Sequence, residues 1–213
     1  MLAVTDAARE ALGILRDGKT FEWSTVAFLA FVFYVYAVEV ERRRWDIILA
    51  GVAFWLADWI NEIANSLVLH FTDRAPVWAV TGDTAYLILI GLTIEISLMF
   101  AVSGIVFVKT LPEDPRAKLL GLPNRLTIGL ILSCLAVLVE VLLHAAGVFH
   151  WEYWWWNVPN VTLIVLFGYA TFFAAAAWVH DTRSRLRQLQ IVGTIAAVDA
   201  VLILLFGPIL EWI

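Results

Sequence analysis

The sequence predicts an all-α integral membrane bundle of six transmembrane helices preceded by a short amphipathic N-terminal helix, and three observations lead there. Hydrophobic residues make up 62% of the 213-residue chain, only 15% are charged, and the mean hydropathy is +0.85. A chain this short carries more apolar surface than one soluble core hides, so its solvent is lipid. The apolar residues also fall into six runs close to the ~20 residues that cross a bilayer: residues 21–40, 46–71, 84–108, 126–149, 158–180 and 191–210. Lys and Arg collect in alternate loops between those runs, as the charge bias of multi-pass proteins requires.

The elements follow in order. Within residues 1–20, TDAAREALGILRDG places Ala8, Leu12 and Leu15 on one side of a helix with charges between them, the pattern of a segment lying on a membrane surface. The first run is rich in Phe and Tyr and has no small-residue cleavage site after it, so it reads as a retained span and not a signal peptide. Residues 21–213 then form one transmembrane domain without repeat or long linker. The longest connection, KTLPEDPRAKLLGLPNR, is a basic loop punctuated by Pro. Loops after the first, third and fifth runs hold Arg42, Arg43, Arg44, Lys109, Arg116, Lys118, Arg125, Arg183, Arg185 and Arg187, whereas the opposite loops hold only Arg74. Both termini are therefore expected on the non-cytoplasmic side of a bacterial inner, plasma or ER-type membrane, with Arg9, Arg16 and Lys19 pulling mildly the other way. A net charge of −5, with carboxylates inside apolar runs, argues against a nucleic-acid partner. The single Cys134 forms no internal disulfide.

The second run contains ADWINEIANS, in which Asp58, Asn61, Glu62 and Asn65 stand at i, i+3, i+4 and i+7. On a helix these form one stripe, and a lipid-facing carboxylate costs several kcal/mol, so the stripe faces protein or a cavity. Other runs supply partners: Glu95 in the third, Glu140 and His144 one turn apart in the fourth, and Asp199 in the sixth. At about 1.5 Å per residue, Glu62, Glu95, Glu140 and Asp199 all fall about 12 to 17 Å below the non-cytoplasmic ends of their runs. No intramembrane Lys or Arg neutralises them. Acids crowded in low dielectric cannot all ionise, so they share protons or hold a cation.

Shared protons give a neutral acid beside a carboxylate, the pairing that general acid–base catalysis uses. On this reading no cofactor is needed. Glu62 is the first choice as proton donor, Glu95 and Glu140 accept or orient, and Asp58, His144 and Asp199 tune them. A metal would instead take Glu62, Glu95, Glu140 and His144, which suits iron or manganese. Against that stands EVLLH, which spaces Glu and His at i, i+4 and occurs once, where di-iron bundles repeat an i, i+3 pair. Asn65, Thr93 and Ser97 also fit a role as hydrogen-bonding glue between helices. Glu39 and His180, near cytoplasmic ends, read as structural. The loop HWEYWWWN puts four Trp into six residues at the outer interface. A belt of interfacial aromatics explains most of them, while Trp151 and Trp155, with Asn61, Asn65, Asn157 and Asn160, are the residues placed to bind a hydrophobic substrate or to stabilise a cation through ring faces.

These motifs support a family comparison. LADWINEI, IEISL and VEVLLH together resemble the acidic pattern of emopamil-binding-protein-type sterol isomerases, membrane bundles in which an ionisable pair on the second helix and a Glu on the third shift a double bond. The resemblance implies that Asp58 and Glu62 are the pair and Glu95 the third-helix acid. It departs at position 58, where that family has His, in lacking clear counterparts of an Asn and a Trp late on the fifth helix, and in having a sixth span. WINEI and AVDAV are also similar, more faintly, to the early Glu and last-helix Asp of small integral membrane terpene cyclases. Both families protonate alkenes or epoxides of hydrophobic substrates.

The sequence thus points to a membrane enzyme that isomerises, cyclises or hydrates an isoprenoid, sterol-like or other lipid, with membrane lipids and a hydrophobic small molecule as its partners. The other readings are a metal-dependent lipid oxidoreductase, a proton- or cation-coupled transporter and a non-catalytic lipid-binding subunit. The sequence specifies no oligomeric state.

Overall fold

A computed structural model describes residues 3–20 and 22–213. Met1, Leu2 and Phe21, the last being the expected start of the first span, lie outside the described residues. Helix α1 (Asp6–Ile14) precedes α2 (Trp23–Glu41), α3 (Trp45–Thr72), α4 (Ile94–Thr110), α5 (Asn124–Ala145), α6 (Ala170–Asp181) and α7 (Arg185–Leu204). A π-helical turn over Ile164–Tyr169 leads into α6, and another over Leu205–Ile209 extends α7. Five of these stretches, Trp23–Glu41, Trp45–Thr72, Asn124–Ala145, Ile164–Asp181 and Arg185–Ile209, are long and apolar enough to cross a bilayer.

The third expected span needs correction. Residues 84–93 are not helical: strand β2 (Leu87–Leu89) pairs antiparallel with β3 (Leu92–Thr93), and α4 begins only at Ile94. LILIGL is apolar throughout, and a short apolar run does not separate strand from helix by periodicity. Gly91 turns the hairpin where a Cβ would collide with the Trp78 ring, and the Thr93 side chain then caps α4 by accepting from the Ile96 N–H at 3.1 Å. At 17 residues α4 is about 26 Å long, slightly under the hydrocarbon thickness of about 30 Å.

Helix α3 is the axis of the bundle, packing against α4, α6 and α7. Its 28 residues run about 42 Å. Its approach to α4 is close because both helices present Gly: a Cβ on Gly104 would sit 2.5 Å from Phe54 Cβ and 2.9 Å from Gly51 Cα. Phe54 then meets Phe100, Phe172 and Phe173 at ring separations of 5.7, 5.6 and 4.9 Å, joining α3, α4 and α6 in one aromatic core. Aromatic pairs at these separations add about 0.5–1.5 kcal/mol each beyond burial.

The two ends of the bundle differ. At one end, α3 stops at Asp73, whose left-handed backbone (φ 48°) lets its N–H reach Leu69 O at 3.0 Å. Strand β1 (Trp78–Val80) then pairs antiparallel with β6 (Phe149–Trp151), the hairpin of β4 (Lys118–Leu119) and β5 (Leu122–Pro123) falling between them in the chain, and this pairing sets Trp78 opposite Trp151. Helix α1 docks on this cap. Thr5 donates its N–H to Arg74 O (3.0 Å) and its hydroxyl to Glu152 (3.0 Å), and Arg16 N–H donates to Leu87 O (2.9 Å). The buried side of α1 consists of Ala8 and Ala11. Leu12, expected on the apolar face, is exposed. At the other end, ion pairs collect: Glu39 with Arg44 and Lys109, each at 2.6 Å, and Arg125 with Asp181 at 2.9 Å. His180 stands 3.6 Å from Asp46 there.

Candidate functional site

The carboxylate stripe of α3 faces inward because α3 is surrounded by other helices and a turned-out Asp or Glu would meet lipid. Asp58 is 3% and Glu62 4% exposed, and both line a cavity of about 410 Å³. Its walls come from α2, α3, α4, α5 and the π turn with α6. Aromatic rings dominate them, among them Phe54, Phe100, Phe172, Trp78 and Trp156. Such a volume and lining suit a small hydrophobic ligand held by a few polar groups.

The polar groups meet at one side of this space. Trp78 donates its indole N–H to one Glu62 oxygen at 3.0 Å, and the other oxygen is buried with no hydrogen-bond partner among the described residues. Asp58 also keeps a buried oxygen without a partner. Glu140, one turn from the end of α5, accepts a 2.6 Å hydrogen bond from the Tyr169 hydroxyl. Trp151 directs its indole N–H toward Glu140 without reaching hydrogen-bond geometry, so that donor too is unspent. Asp58 has Glu62, Glu140 and Asp199 as its charged neighbours. Among the described residues, no Lys, Arg or His lines the cavity.

Asp199 stands behind this group and not in it. It lies on α7, 4% exposed, with both carboxylate oxygens unpartnered among the described residues, next to Asp58 but outside the cavity lining. The indole N–H of Trp59, the residue after Asp58 on α3, is buried and, among the described residues, unpartnered as well.

Two expected acid–base residues are elsewhere. Glu95 occupies the first turn of α4, where it accepts from the Thr84 hydroxyl (2.7 Å) and the Ala85 N–H (2.8 Å). It closes the loop before the helix, and the depth assigned to it fails because the helix starts ten residues later than the apolar run. His144 packs on the Trp151 ring at 5.0 Å, and its Nδ1 meets Phe149 O at 3.0 Å. The four residues considered for a metal are therefore not brought together, and among the described residues no three His, Cys, Asp or Glu side chains gather as ligands.

The expected binding residues divide in the same way. Asn61 lines the cavity and donates to Phe167 O at 3.2 Å, helping to fill the hydrogen bonding opened by the π turn. Asn65 is structural: its oxygen accepts from the N–H groups of Val77 (2.7 Å) and Trp78 (3.1 Å), and its amide donates to Trp78 O (2.8 Å), fixing β1 over the cavity. Asn157 donates to Trp151 O and Asn160 to Trp154 O, shaping the loop. Trp151 is buried in β6, and Trp155 packs on Tyr153 and Trp156. The ring that reaches the cavity is Trp156, stacked on Trp78 at 5.7 Å and able to lie there because Gly168 leaves room, a Cβ at that position coming within 3.2 Å.

Sequence reasoning missed Tyr169, Trp78 and Trp156. Tyr169 carried a signal, being the only Tyr in residues 158–180 and following a Gly. Trp156 lies in HWEYWWWN, where the density of Trp is a signal for the loop but not for that ring, and Trp78 carried none, since the pairing of β1 with β6 brings it in.

A model for an uncharacterized membrane protein family matches residues 5–208 of the chain. A protein of Archaeoglobus fulgidus is 49% identical over 209 residues, covering 98% of this chain and 99% of its own length. A second, short protein of the same organism is 43% identical over 56 residues, all of its own length and 26% of this chain. No solved structure matches. With its apolar helices and this near-complete match, the chain is an integral membrane protein and belongs to that membrane protein family.

Proposed function

We propose that this protein is a membrane enzyme that moves protons on an isoprenoid, sterol-like or other lipid, producing isomerisation, cyclisation or hydration. One observation carries the reading: Asp58, Glu62 and Glu140 share an aromatic cavity without a basic side chain. Acids placed this way exchange protons among themselves and with a bound ligand. In the reaction, one carboxyl gives its proton to an alkene or epoxide and becomes a carboxylate. The resulting cation, faced by Trp78, Trp156 and Phe100, loses a different proton to a second carboxylate or takes up water and releases a proton to it. Either way the proton count of the site is restored.

Glu62 is the donor on this reading, held by Trp78 through one oxygen while its other oxygen is free toward the cavity. Glu140 accepts, oriented by Tyr169. Asp58, with Glu62 and Asp199 among its charged neighbours, resupplies the proton. The resemblance to sterol isomerases and terpene cyclases supports the reaction class through Asp58, Glu62 and Asp199, while Glu95 has no part in it. In the membrane we place six crossings, α4 completing its own with the apolar β2–β3 hairpin. The end rich in Arg and Lys is then cytoplasmic, and α1 with the β1–β6 cap lies outside.

The test is solvent isotope uptake. The purified protein in lipid nanodiscs is incubated in deuterium oxide with farnesol, geranylgeraniol, squalene and their epoxides, and the lipids are analysed by mass spectrometry. Deuterated product from the native chain, lost in Glu62→Gln, supports the reading. Equal incorporation by both proteins, or none with any of these lipids, overturns it.

A further inference from the structure

The cavity opens on one side, and the residues at the opening show which way. Met99 and Val106 of α4 line it while 45% and 51% exposed, and Leu135 and Val139 of α5 line it while 55% and 46% exposed. On α4, Ile96, Met99, Ser103 and Val106 form one stripe at helical spacing. On α5, Leu132, Leu135, Ala136, Val139 and Leu143 form another, interrupted only by Glu140. The two helices hardly touch, because α4 is drawn to α3 at Gly51 and Gly104 while α5 leans on α6 and the π turn. Phe28 and Phe31 of α2 border the gap. In contrast, the end of the cavity nearest the β1–β6 cap is covered by Trp78, Trp156 and Phe149.

We propose that the gap between α4 and α5 is a portal through which an uncharged lipid, bearing no phosphate, slides sideways from the bilayer into the acid-lined cavity. This rests on the function proposed above and names its substrate class. The route follows from the position of the opening, which faces the side of the bundle where hydrocarbon lies. The charge follows from the lining. Among the described residues three carboxylates and no cationic side chain face the ligand, so a phosphate or diphosphate entering with the lipid would bring like charge into a desolvated space with none of these side chains to pair it. The only hydroxyl on the α4 stripe, Ser103, already donates to Met99 O at 2.8 Å and offers no donor to a headgroup. Along α5 the lining extends from Leu132 to Leu143, about 16 Å at helical rise, with Glu140 near one end. An extended apolar chain therefore lies along the portal with its reactive end among Asp58, Glu62 and Glu140. Any phosphate the lipid once carried must have been removed by a hydrolytic or transfer reaction before this site is reached.

Photolabelling of the full chain in nanodiscs tests the portal. The probes are geranylgeraniol carrying a diazirine on its chain and geranylgeranyl diphosphate carrying the same group. The alcohol is expected to label peptides of α4 and α5, and the diphosphate to label them about tenfold less, a difference of about 1.4 kcal/mol. Val139→Trp, or Leu135→Trp should the first fail to fold, is expected to cut labelling by the alcohol by a similar factor. Val201→Trp, on the outward face of α7, should leave it unchanged. Equal labelling by the two probes overturns the charge argument, and labelling indifferent to the Trp at the lip overturns the portal. Glu62→Gln should still be labelled. Strong, Trp-sensitive labelling of a protein that never incorporates deuterium would leave the portal standing and remove the enzyme reading.

Discussion

Glu39 and Glu62 are both carboxylates buried on apolar helices, at 0% and 4% exposure, yet their surroundings are opposite. Glu39 has a cation on each oxygen, Arg44 and Lys109 at 2.6 Å, and these cations reach the end of the bundle where they are 36% and 39% exposed. Among the described residues Glu62 has an indole on one oxygen, no hydrogen bond on the other, and the Asn65 amide and further acids as neighbours. The difference separates a carboxylate that is ion-paired on both oxygens from one with no cation beside it among the described residues. Burial is common to both acids; what sets Glu62 apart is its place at a cavity wall where, among the described residues, no base stands beside it.

The largest effect that sharpens this contrast is in turnover. Glu62→Gln and Asp58→Asn keep the shape of the cavity wall and much of the hydrogen bonding but remove the titrating proton, so each should lower deuterium incorporation about 10²- to 10⁴-fold. Thermal melting of the variants should stay near that of the native protein, because neither acid is paired with a cation. A variant that melts early would instead place the acid in the packing of α3.

A smaller loss belongs to Tyr169→Phe. Its ring remains stacked against Phe100 at 6.0 Å, but Glu140 loses the 2.6 Å hydroxyl that orients it. A hydrogen bond to a charged group is worth about 1.5–3 kcal/mol, so turnover should fall roughly 10- to 100-fold with folding preserved. Full activity in this variant would detach Glu140 from the reaction.

Glu39→Gln should do the reverse. Removing the anion leaves Arg44 and Lys109 facing each other, and with both cations partly exposed the cost is about 1–3 kcal/mol of stability. Differential scanning fluorimetry should register the lower melting temperature, while lipid turnover per folded molecule is unchanged. A loss of turnover without loss of stability would show that the ion-pair end also serves the site.

How much of this was legible before the fold depended on the range of the interactions. The stripe Asp58, Asn61, Glu62 needed only helical periodicity, and Glu140 only its place in an apolar run, so both were found. Asp199 was read as a neighbour that tunes the other acids, and it does stand beside Asp58, but nothing in VDAV tells that its helix keeps it outside the cavity lining. Asn65 shares the stripe yet spends its amide on Val77 and Trp78, a role that exists only once the loop folds back on α3. Glu95 was assigned a midspan depth because LILIGLTIEI is continuous in hydropathy, whereas its backbone is a hairpin followed by a capped helix. The aromatic loop was read by composition, and composition does not distinguish the exposed Trp154 from Trp156 over the cavity.

Glu95→Gln is the smallest expected effect and the one that most cleanly divides the acids by role. Its carboxylate accepts from the Thr84 hydroxyl at 2.7 Å and the Ala85 N–H at 2.8 Å, and it occupies the first turn of α4, where a negative charge complements the helix dipole. Gln retains one carbonyl oxygen, enough for the Ala85 N–H, and its amide group turns toward Thr84, whose hydroxyl accepts as readily as it donates. What is lost is the charge at the helix start, about 0.3–1 kcal/mol. The melting temperature should fall slightly, deuterium incorporation should stay within a factor of about two, and labelling by the photoreactive alcohol should be undiminished. Because Glu95 does not line the cavity, a loss of turnover as deep as that of Glu62→Gln could not arise from this geometry. That outcome would mean that the hairpin and α4 rearrange to bring Glu95 inward when lipid binds, and the central group of acids would then have a fourth member.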